Sequence, residues 1–305
     1  MQLTTPVHIA PADWQITYQD RLLLLGSCFT DHIGRRLEQS YFRVAVNPFG
    51  VLYNPLSIAQ CLEVLLGLKP FSVPQQTVFY GGLWHSMLHH GSFSSADRRQ
   101  FEAAVGQSIL SGRQALEDAS VLLLTFGTVW VYEYEGEVVA NCHKLPASAF
   151  TRRRLQVDEV VEVWRRLLAL PQLQGKHVVF TVSPIRHLKD GLHENQLSKA
   201  TLLLALDRLG VGCFPAYEIM QDELRDYRFY AADMVHPSDV AVDYIWERFC
   251  STYFSENTRG EMRVLQQLYH DRMHRPLHPD TEEYRHFCEQ TEEKARVLRE
   301  KYPWI

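Results

Sequence analysis

Short, strongly apolar runs recur along the chain, and each ends in a small or polar residue. The clearest are residues 22–25, 120–125 and 177–182, and shorter candidates lie at 44–46 and 211–214. Runs of this length cannot cross a bilayer, but they are typical of parallel strands that are buried on both faces. The pattern therefore predicts the strands of a central sheet.

Longer segments with helical periodicity lie between these runs. Apolar residues recur every three or four positions in segments 31–40, 56–66, 96–118, 157–170 and 192–209, and Gly112 is expected to break the third of them. Strands that alternate with helices favour parallel pairing through right-handed crossovers. We therefore expect an α/β fold with three layers, α/β/α, around a mostly parallel sheet, as in flavodoxin.

A charged segment with a helical period follows residue 255. Its less polar positions are spaced by three or four, at Tyr284, Phe287, Thr291, Ala295 and Leu298. That spacing predicts one face of an amphipathic helix. We expect residues 1–255 to form the α/β domain and residues 256–305 to form a helical extension packed on it. A contact between two copies in a homo-oligomer is the alternative use of this face.

Composition and charge exclude some classes of protein. The 305 residues are 46% apolar, and the net charge of −5 comes without a basic stripe, so no nucleic-acid partner is expected. Residues 1–11 lack the charged start and apolar centre of a signal peptide. Six scattered cysteines, none in a CxxC pair, fit a reducing compartment. We therefore expect a cytoplasmic protein.

Neither a metal nor a cofactor is expected. His85 and His89 are four residues apart, which suits metal ligands on one helix face, but no acidic pattern accompanies them and the flanking glycines favour a loop. The chain also lacks the glycine patterns that bind nucleotides. The two histidines are therefore interpreted as packing residues or substrate contacts.

Chemically useful side chains follow the predicted strands. Ser27 and Cys28 come directly after Gly26, Thr128 follows the second main strand, and Arg186 follows the third. Ligands bind outside the carboxyl ends of parallel strands, so these groups are expected to converge at one edge of the sheet. A helix that starts beside Cys28 would lower the pKa of its thiol. Arg186 has two interpretations: its guanidinium binds a carboxylate or a phosphate through two hydrogen bonds, or it is an ordinary surface arginine.

A second candidate pair lies in a loop before the last predicted helix of the α/β region. Asp233 and His236 are separated by two residues. A carboxylate at this spacing can reach back to the imidazole, accept its Nδ1 hydrogen and leave Nε2 free as a base. The alternative is a purely structural histidine ahead of a helix.

Two polar loops supply further candidates. Segment 43–55 contains two Asn-Pro steps, so it is either a stiff turn or a site rim where Gly50 or Asn54 donates to a developing anion. Segment 141–144 places Asn141 and His143 next to a cysteine and a lysine. It is therefore either part of a site or an exposed polar loop.

Several of these segments resemble the sequence blocks of one protein family. GSCFT at 26–30 differs by one residue from the motif GSCFA, and NPFGVLYNP, TFGTVWVYE, NCHK, SPIRH and DMVHPS look like that family's other blocks. The similarity spans residues 22–249. The chain thus resembles the GSCFA family, which looks related to the SGNH/GDSL hydrolases.

That resemblance implies a catalytic set. The first block of the SGNH/GDSL superfamily is Gly-Asp-Ser, with serine as nucleophile at the third place, and Cys28 holds that place here. A shift of one residue in the turn would nominate Ser27 instead. Asp233 and His236 match the superfamily's last block without adjustment.

The resemblance also implies where an oxyanion would be stabilised. Gly50 would correspond to the glycine of the second block. The third block, Gly-x-Asn, reads Gly127, Thr128 and then valine, so its asparagine is missing. Asn54, Asn141 or the hydroxyl of Thr128 would have to replace that donor.

The expected activity is acyl transfer or ester hydrolysis through a Cys or Ser nucleophile. By resemblance the substrate is a small-molecule ester or thioester with a small acyl group, carried by a carbohydrate or a similar molecule. The main alternative is a non-catalytic module that binds a small ligand or carbohydrate on a degenerate hydrolase scaffold. A phosphate or nucleotide binder at residues 26–30 is the weaker alternative.

Overall fold

Alternating strands and helices make up most of the chain. The computed structural model describes residues 4–71 and 76–305. The strands are β1 Arg21–Gly26, β2 Arg43–Val46, β3 Thr77–Tyr80, β4 Leu83–Ser86, β5 Val121–Phe126, β6 Trp130–Tyr134, β7 Glu137–Val139, β8 Thr151–Arg154, β9 His177–Val182 and β10 Cys213–Phe214. The helices are α1 Cys28–Gln39, α2 Pro55–Leu65, α3 Arg98–Asp118, α4 Val157–Leu168, α5 Gly191–Leu209, α6 Ala216–Glu218, α7 Asp239–Tyr253, α8 Glu256–Met273 and α9 Glu282–Lys301.

A five-stranded parallel sheet with the order β10-β9-β5-β1-β2 forms the centre, which confirms the predicted mostly parallel sheet. Neighbouring residues of a strand point to opposite faces. Leu22 and Leu24 accordingly belong to one apolar cluster, with residues of α1, α7 and α8. Leu23 and Leu25 belong to a second cluster, with residues of α2, α3, α4 and α5. Both faces of β1 are therefore buried, as its continuous apolar run requires.

The boundaries of the elements agree with the sequence pattern in some places and differ in others. β9 covers 177–182 as predicted, whereas α1 begins at Cys28, three residues before the predicted helix. The prediction that Gly112 breaks its helix is wrong, because α3 runs unbroken through it. A Cβ at Gly112 would lie 2.8 Å from Leu65 and 3.1 Å from Pro48, so the glycine permits close packing rather than a break.

Two smaller sheets flank the carboxyl edge of the central sheet. β3 and β4 form an antiparallel hairpin. β7, β6 and β8 form a second antiparallel sheet, in which β6 and β7 make a hairpin around Gly136. Segment 141–144 follows this hairpin and therefore lies beside it.

The C-terminal helices share the apolar core of the α/β region. Leu265 of α8 and Tyr302 after α9 lie in the same cluster as the residues of α1. The indole N–H of Trp304 donates to the carbonyl of Tyr41 at 2.8 Å, and the guanidinium of Arg43 lies 4.4 Å from the centre of the indole ring. The end of the chain is thus tied to the start of β2. In the ranges 4–71 and 76–305, no helix has the length and apolar character needed to cross a membrane.

Candidate active site

The turn after β1 places two potential nucleophiles in different surroundings. Gly26 has φ +151°, and a Cβ there would overlap the carbonyl oxygen of Thr125, so this position requires glycine. Ser27 caps α1 with extended backbone and is 2% exposed, and its Oγ has no hydrogen-bond partner among the described residues. Cys28 is the first residue of α1 and is partly exposed. The thiol, rather than the hydroxyl, is thus open to a reactant.

The histidine of the Asp-x-x-His segment reaches this thiol. Sγ of Cys28 lies 3.7 Å from Nε2 of His236, although the two residues are 208 positions apart in the sequence. Nδ1 of His236 lies 2.6 Å from Oδ2 of Asp233. A carboxylate only accepts hydrogen bonds, so Nδ1 carries the hydrogen and Nε2 presents its lone pair to the thiol.

Asp233 is held as a carboxylate. Its Oδ1 accepts the backbone N–H groups of Val235 and His236 at 2.9 and 3.0 Å. The backbone N–H of His236, followed by the imidazole of the same residue, lowers the pKa of Asp233 to about 2. The carboxylate therefore stays ionised at neutral pH and keeps the imidazole in one tautomer.

Arg186 supports the loop that carries this pair. Its backbone N–H donates to the carbonyl of Val235 at 3.1 Å, and its guanidinium donates to the carbonyl of Met234 at 3.2 Å. The guanidinium also lies 5.1 Å from the ring centre of Tyr230. In this structure Arg186 thus links the end of β9 to the loop of Asp233 and His236.

The electrostatic surroundings of Cys28 oppose ionisation of the thiol. Burial raises its pKa, and Asp31 acts in the same direction. The backbone N–H groups of Cys28 and Phe29, together with the ammonium of Lys199, lower it by less. The net shift is opposite to the one expected from the helix start alone. The resting residue is therefore a neutral thiol that needs a base.

Gly50 and Asn54 make hydrogen bonds within the loop between β2 and α2 and at the start of α2. The N–H of Gly50 donates to the carbonyl of Asn47 at 2.7 Å in a turn with φ +75° at the glycine. The side chain of Asn54 caps α2, because its Oδ1 accepts the N–H of Ser57 at 2.8 Å and its Nδ2 donates to the hydroxyl of Ser57 at 2.9 Å. Both groups expected to donate to an oxyanion already have partners here.

Gly127 and Thr128 lie directly beside the turn of the nucleophile. Their N–H groups both donate to the carbonyl of Tyr53, at 2.8 and 2.9 Å. A Cβ at Gly127 would lie 2.9 Å from that oxygen and 3.5 Å from Cβ of Ser27, so a glycine is needed for this approach. The hydroxyl of Thr128 lies 3.2 Å from that of Ser198. These segments are therefore packed together through their backbones.

Asn141 and His143 have different environments. Oδ1 of Asn141 accepts the N–H of His143 at 2.9 Å, and Asn141 lines a cavity at the carboxyl edge of the sheet. His143 is buried, donates from Nε2 to the carbonyl of Ser86 at 2.7 Å and stacks on His85 at 4.6 Å. Burial lowers the pKa of His143 to about 4. Its role is therefore packing beside β4.

The sequence reasoning missed three residues that shape the site. Asn47 has φ +46°, accepts the N–H of Gly26 at 2.8 Å and donates to Asp31 at 2.6 Å. His187 donates from Nε2 to the carbonyl of Gly127 at 3.2 Å, and burial lowers its pKa to about 4. Asn47 lies in the first Asn-Pro step and His187 in the SPIRH block, so both segments that the sequence singles out contain a residue of the site.

Lys199 is the third missed residue, and nothing in its local sequence sets it apart. It lies in α5 and is 1% exposed. Its ammonium donates to the carbonyls of Gly127 and Ser183, at 2.7 Å each. A lysine within a helical segment is ordinarily exposed.

A cavity of about 290 Å³ lies at the carboxyl edge of the sheet, and its lining includes none of Cys28, Asp233 and His236. Its walls include Tyr53, Thr128, Trp130, His187 and Lys189. Burial raises the pKa of Tyr53, and the next cause is the nearby thiol of Cys28, so the phenol lies within electrostatic reach of the sulfur. The volume of the cavity suits a small molecule.

Across residues 4–71 and 76–305, no group of three or more His, Cys, Asp or Glu side chains is arranged to hold an ion.

Comparison with known sequences places these features in a family. The family model described as "GSCFA family" matches residues 21–249, which is more than half of the chain. A second model, described as "GSCFA domain protein, C-terminal domain", matches residues 265–305. No curated protein matches the chain.

Proposed function

The chain belongs to the GSCFA family, and we propose that it is a hydrolase or acyltransferase acting on esters with Cys28 as nucleophile. One observation carries the proposal. The thiol of Cys28 meets an imidazole from a distant part of the sequence, and a neighbouring carboxylate holds that imidazole: Sγ lies 3.7 Å from Nε2 of His236, and Nδ1 lies 2.6 Å from Oδ2 of Asp233. This is the geometry of a nucleophile, its base and the group that orients the base.

The first half of the reaction forms an acyl-enzyme. His236 takes the proton of Cys28 as the sulfur attacks the ester carbonyl, and Asp233 stabilises the resulting imidazolium. The backbone N–H groups of Cys28 and Phe29 at the start of α1 favour negative charge and face the oxyanion. The imidazolium then gives its proton to the leaving alcohol, and a thioester to Cys28 remains.

The second half releases the acyl group. His236 takes a proton from water, or from an acceptor alcohol, and the oxygen attacks the thioester. Collapse of the second oxyanion breaks the carbon–sulfur bond, and the proton returns from the imidazolium to the thiolate. The products are the free acid, or the new ester, and the starting thiol.

The cavity supports a small substrate. Its volume of about 290 Å³ is at the lower limit of ligand pockets, which run from roughly 300 to 1,000 Å³. Trp130, Tyr132 and Tyr53 supply aromatic surface, and Lys189 and Asn141 supply polar groups. A short acyl ester of a carbohydrate or a similar alcohol suits this mixture.

We also propose the relationship to the SGNH/GDSL hydrolases and their three-layer fold. It is supported by the parallel sheet, by Cys28 after the first strand and by Asp233 and His236 before a late helix. The missing third-block asparagine is the main departure. The phenol of Tyr53 is our candidate for a substitute donor, because burial keeps it protonated and it lines the cavity.

Acyl labelling tests the proposal. The chain is incubated with p-nitrophenyl acetate, release of p-nitrophenol is followed, and the acetylated peptide is identified by mass spectrometry. We expect an acetyl group on Cys28 and a loss of turnover by about 10³-fold or more in Cys28→Ala and His236→Ala. Ser27→Ala and Cys142→Ala are the matched controls, one with the neighbouring hydroxyl removed and one with a cavity-lining thiol removed.

The controls also define the contrary result. Acetylation of Ser27, or turnover that survives Cys28→Ala, would assign the nucleophile elsewhere. Labelling that persists at full rate in His236→Ala would remove the base from the mechanism.

A second candidate function is binding of a small ligand or carbohydrate without catalysis. It is favoured by one observation: the N–H groups of Gly50, Gly127 and Thr128 already have backbone partners, so these expected donors to an oxyanion are occupied. Absence of labelling combined with saturable binding of an oligosaccharide in calorimetry would support this function instead.

A further inference from the structure

A second cavity, of about 220 Å³, shares no lining residue with the one described above. Residues after the end of β9, in the first turns of α5 and in segment 220–230 line it, and its walls include Arg186, Tyr227 and Tyr230. The groups proposed for catalysis are not among these residues. Arg186 nevertheless connects the cavity to the loop that carries them, because its guanidinium donates to the carbonyl of Met234 at 3.2 Å. The cavity is therefore a separate space beside the candidate active site.

Among the described residues, Arg186 is the cation of this cavity that has no carboxylate partner. Arg225 pairs with Asp222 at 3.7 Å, and the carboxylate of Asp226 pairs with Arg228 at 3.1 Å. In the part of the chain that the structure describes, no carboxylate oxygen lies within 4.0 Å of the guanidinium of Arg186. The lining thus carries one positive charge that these residues leave uncompensated.

The guanidinium of Arg186 also keeps most of its hydrogen-bonding capacity. A guanidinium has five N–H donors, and within residues 4–71 and 76–305 this one makes a single hydrogen bond, from Nη1 to the carbonyl of Met234. The edge formed by Nε and Nη2 is therefore free for the two parallel hydrogen bonds with which arginine binds a carboxylate or a phosphate. The ring of Tyr230, whose centre lies 5.1 Å from the guanidinium, stabilises the cation at the wall of the cavity.

Two tyrosines give the cavity a surface for the uncharged part of a ligand. Tyr227 is 66% exposed, and its ring centre lies 6.1 Å from that of Tyr230. Gln221 donates to the hydroxyl of Tyr230 at 3.3 Å and belongs to one turn of π-helix, Ile219–Glu223. Such turns are rare and occur frequently at functional sites. Aromatic surface combined with a few polar groups is typical of small-molecule sites.

We propose that this cavity binds a small organic anion, a molecule of about monosaccharide size that carries a carboxylate or a phosphate, with Arg186 as the anchor of the anionic group. The volume of about 220 Å³ is below the roughly 300 Å³ at which ligand pockets usually begin, so the ligand is small. The two tyrosines pack against its uncharged part. Binding here needs no ester chemistry, so the proposal goes beyond the proposed function and does not rest on it.

The first experiment measures the binding of D-glucuronate, D-glucose 6-phosphate and D-glucose to the full chain by ligand-observed NMR titration. Glucose has the same ring without a charge, and the two anions distinguish a carboxylate from a phosphate. We expect at least one anion to bind saturably and glucose to bind at least about tenfold more weakly. Equal affinity for glucose and the anions, or no saturable binding of either anion, would overturn the proposal.

Two variants assign the binding to one side chain. Arg186→Gln removes the charge but keeps a side-chain donor for the carbonyl of Met234, and the affinity for the anion should fall by about 10–100-fold. Arg228→Met is the matched control, because it removes an exposed arginine that does not line the cavity, and the affinity should change by less than about twofold. Equal losses in the two variants would show that general charge attracts the anion, which contradicts the proposal.

The second experiment uses the unaltered chain and so does not depend on the folding of variants. Arginines are modified with phenylglyoxal, and the modified peptides are quantified by mass spectrometry. The tighter-binding anion, at about ten times its Kd, should slow the modification of Arg186 by about tenfold and leave that of Arg228 unchanged. Equal rates at Arg186 with and without the anion would refute the assignment. Acetylation of Cys28 enters neither experiment, so this proposal and the proposed function fail separately.

Discussion

Mild acid should destabilise this protein through histidines that are buried without charge. His89 is fully buried, with Nδ1 2.7 Å from the hydroxyl of Ser86 and Nε2 3.1 Å from that of Ser108. Burial, followed by the neighbouring His143, lowers its pKa to about 3. Burial also lowers the pKa of His143 to about 4. Neither imidazole accepts a proton in the folded chain until the pH is well below 6.

The sign and size of the effect follow from proton linkage. An unfolded histidine has a pKa of about 6.5, so below that pH the unfolded chain binds protons that the folded chain does not, and stability falls. At about pH 5 the difference is about 1.5 pH units, or about 2 kcal/mol per histidine. His89 and His143 together give about 4 kcal/mol, a large part of the roughly 5–15 kcal/mol of a typical domain. His187 shifts in the same direction.

Urea unfolding, followed by tryptophan fluorescence, measures this dependence between about pH 7.5 and about pH 5. The variant His89→Gln keeps polar atoms near both serines but cannot titrate, so its free energy of unfolding should fall about 2 kcal/mol less over this range. His193→Gln removes an exposed histidine of α5 and is the matched control. A free energy of unfolding that stays level down to about pH 5, or an unchanged slope in His89→Gln, would refute the reasoning.

Three substitutions test the site more directly. Asp233→Asn should lower kcat for p-nitrophenyl acetate by about 10²–10⁴-fold, since the imidazole loses the carboxylate that fixes its tautomer; an unchanged kcat would show that Asp233 does not orient the base. Gly127→Ala brings a Cβ to 2.9 Å from the carbonyl of Tyr53 and should cost about 1–3 kcal/mol of stability, measured by urea unfolding; a neutral result would mean that the two segments separate freely. Arg186→Met removes the donor to Met234 and should lower kcat by about tenfold while circular dichroism stays the same; equal kcat values would separate this arginine from the catalytic loop.

The central sheet was predictable because its strands are marked by composition alone. Residues 22–25 are four consecutive leucines, a run that at this length favours a strand buried on both faces. The continuity of α3 was not predictable in the same way. Gly112 weakens a helix locally, but its missing side chain admits Leu65 and Pro48, a tertiary contact that no local pattern reveals.

Some features of the candidate site could likewise be predicted from the sequence, and others could not. The resemblance of their segments to the blocks of the SGNH/GDSL superfamily predicts that Cys28 and His236 approach each other, and Sγ lies 3.7 Å from Nε2. The hydrogen bond from the N–H of Gly50 to the carbonyl of Asn47 could not be predicted, because it depends on the dihedral angles of the loop. The burial of Lys199 could not be predicted for another reason: a lysine is expected to be exposed unless its neighbours in the fold are known.

The contact between Trp304 and the residues leading into β2 has a consequence for solubility. β2 is an outer strand of the sheet, and an uncovered outer strand offers unpaired N–H and C=O groups to the strands of other molecules. Trp304, joined to Tyr41 and Arg43, occupies the approach to this strand. We therefore expect a chain shortened before Trp304 to leave this strand more exposed and to self-associate more readily.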